Sequence, residues 1–149
     1  LSTQAADAEI GGNSQRALTL AERAIAADPR DPWGHYNKAA ALTMLGRTDE
    51  AVASFAAAEE RYAASDIWGR SVAIYGGAHA LSQAGRCDEA RREFLRYAAF
   101  VRERDPRSAD LATSATQAAS SSVNRNTSEC GCVQRWPKKR KKVLSSESR

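Results

Sequence analysis

The chain has 149 residues, 42% of them hydrophobic and 27% charged, with a formal net charge of +4. That length is ordinarily one domain, and no apolar run approaches the roughly 18 to 20 residues that a membrane-spanning helix needs. Residues 1–118 hold 14 Lys and Arg against 16 Asp and Glu, a net of −2, whereas residues 119–149 hold 8 against 2, a net of +6. The basic balance therefore describes a tail and not a basic domain.

In chain order, residues 1–10 form a weak helical segment without an aromatic residue, Gly11-Gly12 offers a turn, and Ala17 to Asp28 shows apolar residues at helical spacing. A clearer unit follows over residues 32–70: Tyr36-x-x-Ala39-x-x-Leu42, Leu45-Gly46, Asp49-Glu50-Ala51 and Phe55-x-x-Ala58. It returns over 71–106 as Tyr75-x-x-Ala78-x-x-Leu81, Ala84-Gly85, Asp88-Glu89-Ala90 and Phe94-x-x-Tyr97, with matching residues 39 apart. Self-similarity at a fixed period of tens of residues is the mark of stacked repeats.

Each copy has apolar residues at three-to-four spacing on both sides of a small-residue turn, so each is an amphipathic helical hairpin. Gly46 and Gly85 stand where the first helix must end, in the left-handed cap conformation that glycine adopts without steric cost. The acidic pairs Asp49-Glu50 and Asp88-Glu89 open the second helix, favourably placed against its dipole. Ala51 and Ala90 then allow the two helices to approach closely.

These residues resemble the tetratricopeptide repeat family, whose 34-residue consensus places a small residue after an aromatic one in helix A, Leu-Gly at the turn, and Ala and an aromatic in helix B. In the middle repeat the correspondence runs through His35-Tyr36-Asn37-Lys38-Ala39, Leu42, Leu45-Gly46, Asp49-Glu50-Ala51, Phe55 and Ala58. The third repeat supplies Ala78, Leu81, Ala84-Gly85, Glu89-Ala90 and Phe94, and the damaged first repeat Ala17, Ala21, Ala24 and Pro29. The resemblance implies an all-α, right-handed α-solenoid of stacked antiparallel helix hairpins. Its expected parts are a partial first repeat over 1–31, repeats over 32–70 and 71–106, a C-terminal capping helix over 107–119 and a disordered basic tail over 120–149.

The family's function resides on a concave surface lined by helix A. By resemblance that surface carries Trp33, Tyr36, Asn37, Ala40, Thr43 and Met44 in the middle repeat, and Val72, Tyr75, Gly76, His79, Ser82 and Gln83 in the third. Tyr36, Tyr75 and Trp33 fit a buried core as well as a groove, since aromatics at helical spacing serve either role. Family members that grip the C-terminal carboxylate of heat-shock chaperones use Lys, Asn and Arg at fixed helix A places. Here only Asn37 is kept, with Ser2, Ala6, Val72 and Gly76 at other places, so that clamp is missing.

The capping helix is expected because Ala109, Ala112, Ala115 and Ala118 recur at helical spacing beside Leu111, and it should cover Phe94 and Tyr97. Beyond it the chain is rich in Ser and poor in large apolar residues, a composition that favours disorder. Lys138, Lys139, Arg140, Lys141 and Lys142 after Pro137 look like a nuclear import signal and suit any anionic surface, although such runs are commonly just solvated. Lys38 is the only lysine before that tail in an Ala- and Arg-rich body, a bias expected of a bacterial protein of the cytoplasm or cell envelope and not of a nucleus. The chain opens on Leu1 and not on Met, so residues upstream of it are expected to have been removed, by processing or otherwise, with a periplasmic location if a leader was among them.

Three cysteines are present, and a disulfide of Cys87 with Cys130 or Cys132 competes with free thiols. A metal site is not expected, since zinc needs four ligands at constrained spacing and His35 and His79 both lie on helix A. No glycine-rich phosphate loop, nucleophile elbow or metal-binding His pair occurs, and no cofactor is implied. The expected function is non-enzymatic binding of a peptide or protein segment in the groove, with exposed end faces that admit a homodimer. The alternative from a different class is polyanion binding, to nucleic acid or an anionic membrane, through the tail, with the solenoid as spacer.

Overall fold

Residues 13–120 are described by the computed structural model, and they form six α-helices and no strand. These are α1 (Ser14–Ala27), α2 (Pro32–Met44), α3 (Thr48–Arg61), α4 (Ile67–Gln83), α5 (Cys87–Arg104) and α6 (Ala109–Ser120), with a 3-10 turn at Pro106–Ser108. Each helix packs on the one before and the one after it, and outside that succession α2 touches α4. This is the all-α array of hairpins that the 39-residue period requires. The expected segments at 1–10, Gly11-Gly12 and the basic tail lie outside the described residues.

Local chemistry sets the helix ends. Asn13, Asp31 and Asp66 accept hydrogen bonds from the backbone N–H of Arg16, Trp33 and Gly69, which caps α1, α2 and α4. The helices α3 and α5 have no side-chain cap. Instead Arg47 and Arg86 each donate two hydrogen bonds, of 2.7–2.8 Å, to the carboxylate three residues on, Glu50 and Glu89.

The turns repeat in the same detail. Gly46 and Gly85 have φ of 72° and 74°, and the next N–H, of Arg47 or Arg86, donates 3.0 Å back to the carbonyl of Leu42 or Leu81. Those bonds satisfy carbonyls that the helix end leaves over.

Alanine dominates the contacts between helices. Ala39, Ala41, Ala51, Ala58, Ala78 and Ala90 are fully buried, whereas among the large hydrophobic side chains of the described residues only Leu42 and Ile74 are below 2% exposure. Such seams bring helix axes close together. At one point the approach is closer still: a Cβ built on Gly76 would lie 2.3 Å from the Phe55 ring. Tyr36 meets that ring edge-on at 5.4 Å, and the equivalent pair one repeat later, Tyr75 and Phe94, repeats the arrangement at 5.6 Å.

The second helices of the hairpins, α3 and α5, are joined by long side chains. Arg96 donates to both oxygens of Glu59 at 3.0 Å, and Arg86 reaches Asp49. Backbone contact between α2 and α4, against arginine bridges between α3 and α5, tightens the stack on the α2–α4 side.

Two expectations need correction. The third hairpin opens at Ile67 and not at 71, because its extra residues lengthen the helices: α4 and α5 have 17 and 18 residues, against 13 and 14 in α2 and α3. The helix α6 covers only one of the two rings expected beneath it: Ala112 and Ala115 pack with Tyr97, Phe100, Val101 and Ile74, while Phe94 is enclosed by Ala78, Leu81 and Ala90.

Gly85→Ala should lower unfolding free energy by about 1–2 kcal/mol through its positive φ, and Gly76→Ala by about 1–3 kcal/mol by displacing Phe55. Urea denaturation followed by circular dichroism measures both, and an unchanged midpoint for Gly76→Ala would remove the Phe55 contact from the account.

Candidate functional site

The face shared by α2 and α4 holds most of the large apolar side chains that the alanine seams cannot absorb. Trp33 is 42% exposed, Met44 58% and Tyr75 41%, and Gln83 is exposed as well. Tyr36, Ala40, Thr43, Val72, Gly76 and His79 are half-buried beside them. Thr43 donates its hydroxyl to the Ala39 carbonyl at 2.8 Å, which leaves its methyl group to the face.

Asn37 and Ser82 lie beneath this surface. Both are buried, Ser82 at 1% exposure with no hydrogen-bond partner for its hydroxyl among the described residues. A helical residue turns about 100° from its neighbour, so Asn37 is carried inward from Tyr36 and Ser82 away from Gln83. Of the twelve residues expected along the groove, ten are exposed or half-buried on α2 and α4, and Asn37 and Ser82 are buried.

The aromatic rings on the face are braced. Tyr75 stacks on His79 with centroids 6.4 Å apart and planes 14° from parallel, and meets Phe94 and Tyr97 edge-on at 5.6 and 5.3 Å. One side of Tyr75 belongs to the core and the other to the surface. Burial holds the His79 ring below the ordinary histidine pKa, so it is neutral at pH 7. Burial also pushes the Tyr97 hydroxyl up.

Sequence reasoning missed Trp68. It is 64% exposed, and its ring lies 6.3 Å from that of Trp33. A repeat boundary at 70/71 places it at the end of the second repeat, whereas it lies in the first turn of α4. The available signal was Asp66 followed by Ile67-Trp68, a capping residue ahead of an apolar pair. Trp68 also lines a cleft of about 400 Å³ with Asp66, Ser71, Tyr97 and Arg104.

Among the described residues no group of three or more His, Cys, Asp or Glu is placed to hold a metal ion, and no helix is long and apolar enough to cross a membrane. Cys87 opens α5. The cysteines named with it, Cys130 and Cys132, and the basic run Lys138–Lys142 lie outside the described residues.

Comparison with known families places a match on this region. Residues 20–53 fit the family model described as tetratricopeptide repeat. That window of 34 residues out of 149 runs from α1 through the whole of α2 and its glycine turn into α3. Neither the curated proteins nor the solved structures searched contain a match to the chain.

The lowered His79 pKa has a stability consequence. The unfolded chain takes up a proton before the folded one, so the contribution is complete above pH 6.5 and is lost as pH falls from 6.5 through the folded value. Urea unfolding at pH 7.5 and 5.5 should show a larger loss for the native chain than for His79→Gln. Equal losses would mean that His79 is as accessible to protons as in the unfolded chain.

Proposed function

We propose that this chain, which carries a tetratricopeptide repeat at residues 20–53, is a non-enzymatic recognition module that holds an extended segment of a partner protein along α2 and α4. Tetratricopeptide repeats generally mediate protein–protein interactions, and a protein partner follows from that. The observation that carries the finer reading is the row of braced, surface-facing aromatics on the two helices that touch across repeats: Trp33, Tyr36 and Tyr75. Rigid amphipathic rings of this kind dominate binding energy at protein interfaces, because little rotamer freedom is lost when they are covered.

Half-buried Ala40 and Thr43 give the backbone of a bound segment room to lie close, and Gln83 and His79 supply hydrogen-bonding groups at one end. The shallow, largely uncharged floor suits a peptide better than a small polar metabolite, whose sites are concave and enclosing. The run Lys138–Lys142 supports a second, salt-sensitive attraction to polyanions, one that would act independently of the face.

Peptides selected for binding to the full chain should perturb the amide resonances of Ala40, Thr43, Tyr75 and His79 and leave those of Ala53 and Arg92, on α3 and α5, unmoved. Tyr75→Ala should weaken binding by about 1–2 kcal/mol while circular dichroism shows the helices retained. Perturbations centred on α3 and α5, or full binding by Tyr75→Ala, would refute the reading.

A further inference from the structure

We propose that residues 123–136 complete the array as the turn and second helix of a fourth, degenerate hairpin, packed along the stripe of α5 that carries Asp88 and Leu95. The proposal does not depend on the peptide face of α2 and α4.

That stripe is open where its counterpart on α3 is closed. On α3, Asp49 receives Arg86, Val52 packs against the cluster of Ala78, Leu81, Ala90 and Phe94, and Glu59 receives Arg96. The next second helix, α5, therefore covers it. Advancing 39 residues places Asp88 where Asp49 was and Leu95 where Ala56 was. Among the described residues Asp88 makes no ion pair, and Leu95 is 43% exposed. Two helical turns separate them, so they share a face. Arg102, two turns further on, shares it too, and with Thr113, Thr116 and Gln117 of α6 it lines a cleft of about 310 Å³. The helix α6 is a first helix with no second helix after it among the described residues.

The chain that follows α6 supplies the occupant. Leu45-Gly46-Arg47 and Ala84-Gly85-Arg86 form the two turns, and the same step of 39 reaches Val123-Asn124-Arg125. Asparagine is, after glycine, the residue that enters the left-handed cap conformation. Asn126 followed by Glu129 is a helix-start pattern, and Pro137 ends the segment. Between them Val133 falls in the place of Phe55 and Phe94, and Trp136 in that of Ala58 and Tyr97, all of them buried. Cys130, Val133 and Trp136 thus recur at helical spacing on one side.

Charge sets the register. Arg125 stands to Asp88 as Arg86 stands to Asp49. Ser128 replaces Glu89, so Arg125 lacks the acid three residues on that Arg86 holds, and Asp88 is its match across the seam. The second rung lapses, because Arg135 in the place of Arg96 meets Ala98 where Glu59 was. A second copy or a separate protein could cover the same stripe, but only Ser121 and Ser122 separate α6 from Val123. A segment tethered so closely docks at an effective concentration that a free partner does not reach.

Gly131 falls in the place of Ala53 and Arg92, which are exposed. There it weakens the helix without entering a seam.

Amide hydrogen exchange of the full chain, in reductant so that no disulfide holds the tail, tests the assignment. Residues 130–136 should exchange at least about tenfold more slowly than a free coil, at a rate independent of protein concentration. Gly131→Ala should slow them about fivefold more, as alanine does over glycine at an exposed helix position. Asp88→Arg and Arg125→Asp should each speed exchange about threefold, and the two together should restore it.

Coil-rate exchange in this segment overturns the proposal, and so does a Gly131→Ala chain that exchanges as the native one does. If Arg125→Asp has no effect, or the double reversal restores nothing, the segment does not lie in this register and the proposal fails. Protection that appears only as concentration rises assigns the stripe to a second copy and overturns it as well.

Discussion

The constraint on which the rest depends is the thinness of the helix seams. Ala39, Ala51, Ala58, Ala78 and Ala90 meet across them with essentially no exposure, and Gly76 admits the Phe55 ring against the backbone of α4. Helices packed this closely leave room for single methyl groups and for a few rings threaded edge-on. Large aromatics beyond those few cannot enter. Trp33, Trp68 and the outer side of Tyr75 are therefore left at the surface by the same contacts that hold the stack together.

The two sides of the stack are built differently. On one side α2 and α4 touch directly; on the other α3 and α5 are spanned by Arg96–Glu59 and Arg86–Asp49. Surface ion pairs contribute little stability, so these bridges are better understood as setting the spacing of α3 and α5 than as holding the fold together. The Arg-rich composition of the body thereby acquires a structural use, since arginine is long and bidentate where lysine is neither planar nor forked.

Much of the fold was legible in the chain because its determinants are local. Gly46 and Gly85 announce a left-handed cap, Asp49-Glu50 and Asp88-Glu89 a helix start, and Tyr36 with Phe55 a contact that recurs 39 residues later. Boundaries were less legible. The boundary between repeats was expected at 70/71, whereas α4 already begins at Ile67 and both α4 and α5 are lengthened, and nothing in periodicity alone distinguishes a lengthened helix from a longer connection. The site suffered from the same ambiguity: Trp68 fell at the end of the second expected repeat and not in the first helix of the third hairpin, and Asn37 and Ser82 were placed on a face from which one further helical step carries them inward. The cap was found by its alanines, but which rings it covers depended on the length of α5.

The central claim, that close seams between α2 and α4 hold the recognition face on the tight side of the stack, is tested most directly by paired-label distance measurements in solution. Labels at Met44 and Gln83 report on the α2–α4 side, and labels at the equivalent positions Ala53 and Arg92 on the α3–α5 side. A distinctly shorter distance for the first pair is the predicted result; equal distances, or a shorter one for Ala53 and Arg92, would contradict the account.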